Sequence, residues 1–392
     1  MFKQKYFLTG LAIFILLNIF FYEFLAVYYY KVPFNNYLYA TGYHHIDDNR
    51  KQNKPFNLIN ALGAWDAQWY LRIADNGYTT STEVASHAGQ RFLDQYAWAF
   101  LPFYPALVAT TNIFFNNILL AAFVFSNLIL LANFFSTYYI VSKLYTQEIA
   151  MRTSFLLLFF PLSIFYHSYY AESVFLFLLL WFGYALIKRN WWIVGMTLML
   201  LYLTKPNGTF LLIPLLYVLQ KDLRQRKIQW WRAIGVIILP LLSYVYLYVS
   251  SKIEMGNGMF WVIAHDYWGP RHSTLQIIQG NIQTIFHFPN LLWHDYKPSQ
   301  TEILSFFAGV VLFIFSKQKK YPELWYLTMS LLFAPLVVKN FTSYARYEMV
   351  AFPIFIYLAT KLKGWWFYFV TAVFYGLLLY ISLLFINWAW IE

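Results

Sequence analysis

Trp98-Ala99-Phe100-Leu101-Pro102-Phe103-Tyr104-Pro105-Ala106-Leu107-Val108-Ala109-Thr110-Thr111-Asn112-Ile113-Phe114-Phe115 is apolar enough to span a membrane, and whether it crosses sets the side of every later loop. Pro102 and Pro105 lack the amide hydrogen a helix interior needs, and Thr110-Thr111-Asn112 interrupts the second half. If the run crosses, Lys221-Asp222-Leu223-Arg224-Gln225-Arg226-Lys227 and Lys317-Gln318-Lys319-Lys320 both face outward. Those are the two most basic loops, and cytoplasmic loops hold the excess of Lys and Arg in membrane proteins. We therefore read the run as an interfacial or re-entrant helix on the outer face, where protein covers its irregular backbone.

The rest of the chain is built for lipid. Its 392 residues are 60% hydrophobic and 11% charged, where a soluble domain is about 25% charged. Apolar runs of about 17–25 residues recur throughout. The expected fold class is an all-α polytopic membrane protein, with residues 1–392 as a single integral domain. A bundle of about eleven transmembrane helices is expected, with interfacial helices in a first outer loop (30–117) and a second outer loop (251–301). The first apolar run, from Tyr6 to Tyr28, outlasts a signal-peptide core and ends without a small-residue cleavage site. It reads as the first span, entered from a cytoplasmic N-terminus. The later spans are expected at 118–142, 149–166, 171–187, 191–204, 207–220, 231–250, 302–316, 322–338, 347–360 and 365–388.

The net charge of +11 fits cytoplasmic loops against anionic headgroups. With no Arg-rich tail or nucleic-acid motif, the bilayer is the expected partner and nucleic acid is not. Cysteine is absent, which excludes disulfides, thiol nucleophiles and thiolate metal sites.

The outer loop before Trp98 is polar without basic excess: Lys31, Arg50, Lys51, Lys54, Arg72 and Arg91 face Asp47, Asp48, Asp66, Asp75, Glu83 and Asp94. Within it lies Trp65-Asp66-Ala67-Gln68-Trp69-Tyr70-Leu71-Arg72-Ile73-Ala74-Asp75-Asn76-Gly77-Tyr78, whose Trp69 and Ile73 share a helical face. Three further polar clusters fall at outer span ends: His167-Ser168-Tyr169-Tyr170-Ala171-Glu172-Ser173, Lys205-Pro206-Asn207-Gly208, and Lys339 to Glu348, which includes Arg346. Ionisable residues at a membrane edge are costly to bury and mark functional sites. Carboxylates and cations there suit transfer of a sugar from a polyprenyl phosphate. A base takes the acceptor's proton, and cations hold the phosphate as its charge grows. Asp66 is the candidate base. Trp65, Arg72, Asp75, Glu172, Lys205, Asn207 and Arg346 are the candidate substrate-binding residues. One carboxylate opposite the leaving phosphate predicts inversion.

Simpler readings stand beside these. Asp66 is a favoured helix N-cap type. Glu172 suits a helix N-terminus electrostatically. Lys205 and Arg346 can snorkel to headgroups, Arg72 can form a loop salt bridge, and Asp75 can be a surface carboxylate. His44-His45-Ile46-Asp47-Asp48 reads as a solvated loop, since no fourth ligand stands at diagnostic spacing. No metal ligand is assigned, and a divalent metal is left open. His265-Asp266, His287 and His294-Asp295 read as structural. Asn207-Gly208-Thr209 and Asn340-Phe341-Thr342 match a glycosylation pattern by chance. Glu23 has no account.

At these residues the chain resembles the second GPI mannosyltransferase (PIG-V) family of GT-C membrane glycosyltransferases and its bacterial relatives. The matching features are Trp65-Asp66, then Tyr70-Leu71, Ile73-Ala74 and Gly77-Tyr78, followed by Ala99-Phe100-Leu101-Pro102-Phe103-Tyr104-Pro105. Phe160-Pro161-Leu162-Ser163-Ile164-Phe165, Tyr170-Ala171-Glu172-Ser173, Pro206-Asn207-Gly208 and Arg346-Tyr347 with Ala351-Phe352-Pro353 continue the match in order. The resemblance implies a polyprenyl-phosphate-linked sugar donor, Asp66 as catalytic residue, and a glycan, lipid or protein acceptor on the extracytoplasmic face of the cell membrane. Mannose comes from the family name. Ala64 stands where many relatives carry Arg, and Leu162-Ser163 where Asn-Pro-Ala is common, which leaves sugar and acceptor open. The competing function is a transporter or flippase, which usually shows two related halves and midplane polar residues. No internal repeat is visible here, and the polar residues gather at one edge.

Overall fold

A computed structural model describes residues 2–78, 83–85, 91–256, 258, 273–291, 300–317, 320–338, 341, 343–389 and 391. The protein is an all-α membrane protein. Among the described residues four helices have the length and apolarity to cross a bilayer unaided, within Lys5–Lys31, Ile118–Leu144, Trp230–Glu254 and Trp365–Ile386. In the labels used here these belong to α1 (Phe2–Tyr28), α6 (Ile118–Leu144), α12 (Trp230–Met255) and α19 (Trp365–Ile386). At 1.5 Å per residue the 27 residues of α1 reach about 40 Å, beyond the roughly 30 Å of hydrocarbon.

The expected spans 171–187, 191–204 and 302–316 form helices over nearly those bounds, while others are broken. α7 (Gln147–Leu158) stops ahead of Pro161, and a short helix, α8 (Ile164–His167), completes the path. α10 (Trp191–Thr204) ends because Pro206 disfavours helical geometry in the residue before it. Lys205 is accordingly extended (φ −150°, ψ 145°), and a 3-10 turn over Pro206–Leu211 leads into α11 (Leu212–Arg224). Gly208 is required there, since a Cβ at this position would lie 2.7 Å from the Leu201 backbone. The segment expected as a second outer loop contains a helix, α13 (Thr274–Leu291), that the sequence reading did not expect. Beyond it run α14 (Gln300–Phe315), α15 (Pro322–Phe333), α16 (Pro335–Val338), α17 (Tyr344–Glu348) and α18 (Phe352–Lys361). The expected spans 322–338 and 347–360 are each replaced by a pair of shorter pieces, the first divided at Pro335.

The segment between α1 and α6, expected as the first outer loop, holds α2 (Asn36–Thr41), α3 (Leu58–Ala61), α4 (Ala67–Asn76) and α5 (Phe103–Phe115). In the same segment β1 (Glu83–Ala85) pairs antiparallel with β2 (Arg91–Leu93), where no strand was expected. α5 is the critical run. Its first turn lies within the first third of α6, with Tyr104 and Phe125 ring centroids 5.9 Å apart. It therefore forms a helical hairpin along the beginning of α6 instead of traversing that helix's length.

α9 (Glu172–Lys188) separates two polar ends of the bundle by about 25 Å, from its 17 residues. At its C-terminal end Arg189 binds Asp222 at 2.7 Å and Glu323 at 2.9 Å, tying together α9, α11 and α15. Lys320 donates to the last carbonyl of α6 at the same end. At the N-terminal end of α9 lie the candidate functional residues.

Candidate active site

Asp66 enters the site from a strained turn. Trp65, immediately before it, has a left-handed φ of 61°, which costs a non-glycine residue about 1–3 kcal/mol. The Tyr170 hydroxyl bridges this turn: it accepts from the Asp66 amide at 3.1 Å and donates to the Ala64 carbonyl at 3.3 Å. The Trp65 indole lies 5.1 Å from Trp388, which the end of α19 brings back over the loop. The Asp66 side chain makes no capping bond to α4. Its Oδ2 instead accepts from Arg346 Nη1 at 2.8 Å.

Arg346, on α17, is buried and reaches in the other direction to Glu172, whose Oε1 accepts from Nε. The same oxygen accepts from Lys205 Nζ at 2.6 Å. Asp66, Arg346, Glu172 and Lys205 thus form one alternating string of charges from four segments. The Asp66 side chain is 34% exposed, while those of Arg346, Glu172 and Lys205 are 7%, 0% and 8% exposed. The string is dry at the Glu172 end and open at the Asp66 end. Glu172 Oε2 is buried, and among the described residues nothing donates to it. Neither cation snorkels, and Glu172 does more than complement a helix terminus.

Aromatic rings wall the site. The Arg346 guanidinium lies 4.8 Å from the Tyr170 ring and 5.1 Å from Phe165. Lys205 lies 4.9 Å from the Tyr347 ring. Tyr70, one turn into α4, is buried in the field of the string. Burial first, then the charges of Glu172 and Asp66, push its phenol well above the ordinary tyrosine value, against the pull of Arg346. Tyr70 also meets Phe100 and Tyr104 at 5.1 and 5.2 Å, and Trp69 stacks on Tyr43 at 3.8 Å. These rings clamp α4 against α5, so the two segments prominent in the sequence form one wall.

The model of the mannosyltransferase (PIG-V) family matches residues 4–250. The chain belongs to that family. It is a membrane glycosyltransferase, for which a sugar donor and a glycan acceptor follow. No curated protein matches the chain significantly. The matched region of this mannosyltransferase-family chain includes Asp66, Glu172, Lys205 and Asn207 but ends well before Arg346 and Trp388. Those two join the site through the fold.

Other candidate residues go elsewhere. Asp75 meets His45, whose Nε2 is 3.0 Å from Asp75 Oδ2, and the Arg72 charge acts on the same ring. Burial lowers the His45 pKa below the ordinary histidine value, more strongly than Asp75 raises it. The expected solvated loop around His44 and His45 is in fact ordered. His44 Nε2 donates to the Tyr39 carbonyl at 2.7 Å, and Gln68 Oε1 accepts from the His45 and Ile46 amides at 2.9 and 2.8 Å. Asp48 and Arg50 pair at 2.6 Å, and Arg50 reaches Asn387 at the end of α19. Asn207 is half-buried in the turn after Lys205. Glu348 is bound by the Ser305 hydroxyl. His265-Asp266, His294-Asp295, Lys339-Asn340 and Thr342 lie outside the described residues. Among the described residues no three His, Asp or Glu side chains converge to hold a metal.

Tyr170 and Trp388 are the residues sequence reasoning missed. Tyr170 had a signal, since it opens the Tyr170-Ala171-Glu172-Ser173 motif. Trp388 had none, standing at the far end of an ordinary apolar helix.

Proposed function

We propose that this glycosyltransferase moves a hexose, mannose-like as the family name implies, from a polyprenyl-phosphate donor to an acceptor hydroxyl outside the cytoplasm, with inversion. Asp66 removes the acceptor proton as the new glycosidic bond forms. The bond between the anomeric carbon and the phosphate oxygen breaks, and its electron pair stays on the phosphate. Arg346 and Lys205 hold that phosphate, while Trp65 and Asn207 border the sugar. The observation that best supports this reading is the Asp66–Arg346 pair at the open end of a buried charge string. It sets the accessible carboxylate beside a cation suited to phosphate. The second carboxylate, Glu172, is fully buried between two cations, so among the described residues of the string only Asp66 is open to solvent, which favours direct inversion. The opposite end of the bundle carries Lys188, Arg189, Lys221, Arg224 and Lys320, which favours an outward-facing site.

The test is transfer from defined prenyl-phosphate sugars by purified, bilayer-reconstituted protein. Asp66→Asn is expected to lose at least about a hundredfold in rate, the scale of a general base. Full activity in that variant removes Asp66 as base. The cysteine-free chain also permits a clean sidedness test. A thiol at exposed Gln52 should react with an impermeant reagent from outside, and one at exposed Arg226 should not. The reverse pattern sinks the outward-facing site.

A further inference from the structure

Charge within the string is nearly closed on itself. Among the described residues, Lys205 and Arg346 share the carboxylate of Glu172 at the buried end, two cations to one anion. Asp66 supplies the matching negative charge. A donor that links a sugar to a prenyl chain through phosphate is a phosphodiester with one negative charge. Asp66 and the donor phosphate are therefore equal in charge and compete for one cationic position. In a dry site an uncompensated charge is strongly disfavoured, so the three buried groups accommodate one anion at a time.

We propose that the donor phosphodiester displaces Asp66 from Arg346, and that this exchange releases Asp66 to act as base only once the donor is seated. The inference rests on the donor and base assigned above. Glu172 is the positioning residue: it holds both cations and limits the site to one surplus charge. Geometry favours exchange at Asp66, the solvent-accessible member of the string, and not at fully buried Glu172. The charges also close through the reaction. Before transfer, Asp66 and the phosphodiester each carry one negative charge. Afterwards the acceptor proton sits on Asp66, and the departing prenyl phosphate carries the added charge, so the total is unchanged.

The test measures equilibrium binding of a short prenyl methyl phosphodiester, which carries the donor's charge but no sugar, to intact detergent-solubilised protein. Asp66→Asn removes the competing charge while leaving an amide of the same size at a partly exposed position. It is expected to bind the diester about tenfold more tightly than wild type, the factor that 1.4 kcal/mol represents, while losing transfer. Glu172→Gln raises the surplus charge to two, so both anions fit together. In that background Asp66→Asn should change diester affinity less than twofold. Unchanged or weaker diester binding in Asp66→Asn overturns the exchange, even with transfer abolished. An undiminished gain from Asp66→Asn in the Glu172→Gln background overturns the charge-limiting role of Glu172. Retained transfer in Asp66→Asn instead removes the underlying catalytic reading. If Glu172→Gln does not fold, the single Asp66→Asn measurement still decides the exchange.

Discussion

Replacing Tyr170 with Phe isolates the turn that presents Asp66. The substitution keeps the ring 4.8 Å from the Arg346 guanidinium and the buried packing around it. It removes the hydroxyl that accepts from the Asp66 amide at 3.1 Å and donates to the Ala64 carbonyl at 3.3 Å. An unsatisfied buried group costs about 1–3 kcal/mol, and the geometry of the Ala64 bond is long, so the lower half of that range is expected for stability. Losing the bridge leaves the left-handed Trp65 with less to hold it, since its conformation alone costs about 1–3 kcal/mol. Relaxation of that residue re-aims Asp66. A shift of about 1 Å in a reacting group costs on the order of a hundredfold in rate. Tyr170→Phe is therefore expected to lower kcat by about ten- to a hundredfold, with donor KM changed less than threefold because Arg346 and Lys205 remain. The assay is steady-state transfer in reconstituted bilayers, with thermal unfolding in parallel. Tyr169→Phe is the control, since its hydroxyl donates to Ile59, away from Asp66. Wild-type kcat in Tyr170→Phe refutes the bridging argument, as does an equal loss in Tyr169→Phe.

Arg346→Ala leaves Glu172 and Asp66 without their shared cation and should destabilise the fold by about 3–5 kcal/mol, read as lost yield or a lowered unfolding midpoint. Arg346→Lys keeps the charge but cannot present two nitrogens to two carboxylates; it should fold and lose transfer, so retained activity counts against the arginine's role. Gly208→Ala places a methyl 2.7 Å from the Leu201 backbone and should cost about 1–3 kcal/mol as the turn bearing Lys205 shifts; an unchanged midpoint shows that the turn yields freely. His45 has a lowered pKa in the folded state, so the unfolded chain binds its proton more readily. Its contribution is present above the unfolded value near 6.5 and is lost as pH falls below it. His45→Gln should flatten the fall in unfolding midpoint over that range, and an unchanged slope rules His45 out as its source.

The membrane class and the family of this chain are legible in one dimension because both are written in local pattern. Apolar runs report the solvent they face, and Trp65-Asp66 with Tyr170-Ala171-Glu172-Ser173 reports the family within the matched residues. Breaks in the helices are legible too: Pro206 forces Lys205 out of helical geometry, an effect confined to adjacent residues. Span lengths were less so. Residues 322–338 are continuous in hydropathy, yet the chain breaks at Pro335 where neighbouring segments supply the packing.

What the sequence determined by itself was which residues are chemically unusual: Asp66, Glu172, Lys205 and Arg346 are ionisable groups set at the edges of apolar runs. What only the tertiary structure decided is how they pair. Arg346 lies 280 residues from Asp66, and nothing in either neighbourhood specifies that one guanidinium will join Asp66 to Glu172. Asp75, closer in sequence to Asp66, goes to His45 because helix α4 turns it toward a different part of the loop. The same holds for Trp388, whose role depends on where the end of α19 meets the Trp65 turn. Composition and local pattern assign residues to a solvent, but the pairing of charges depends on distances set by the packed bundle.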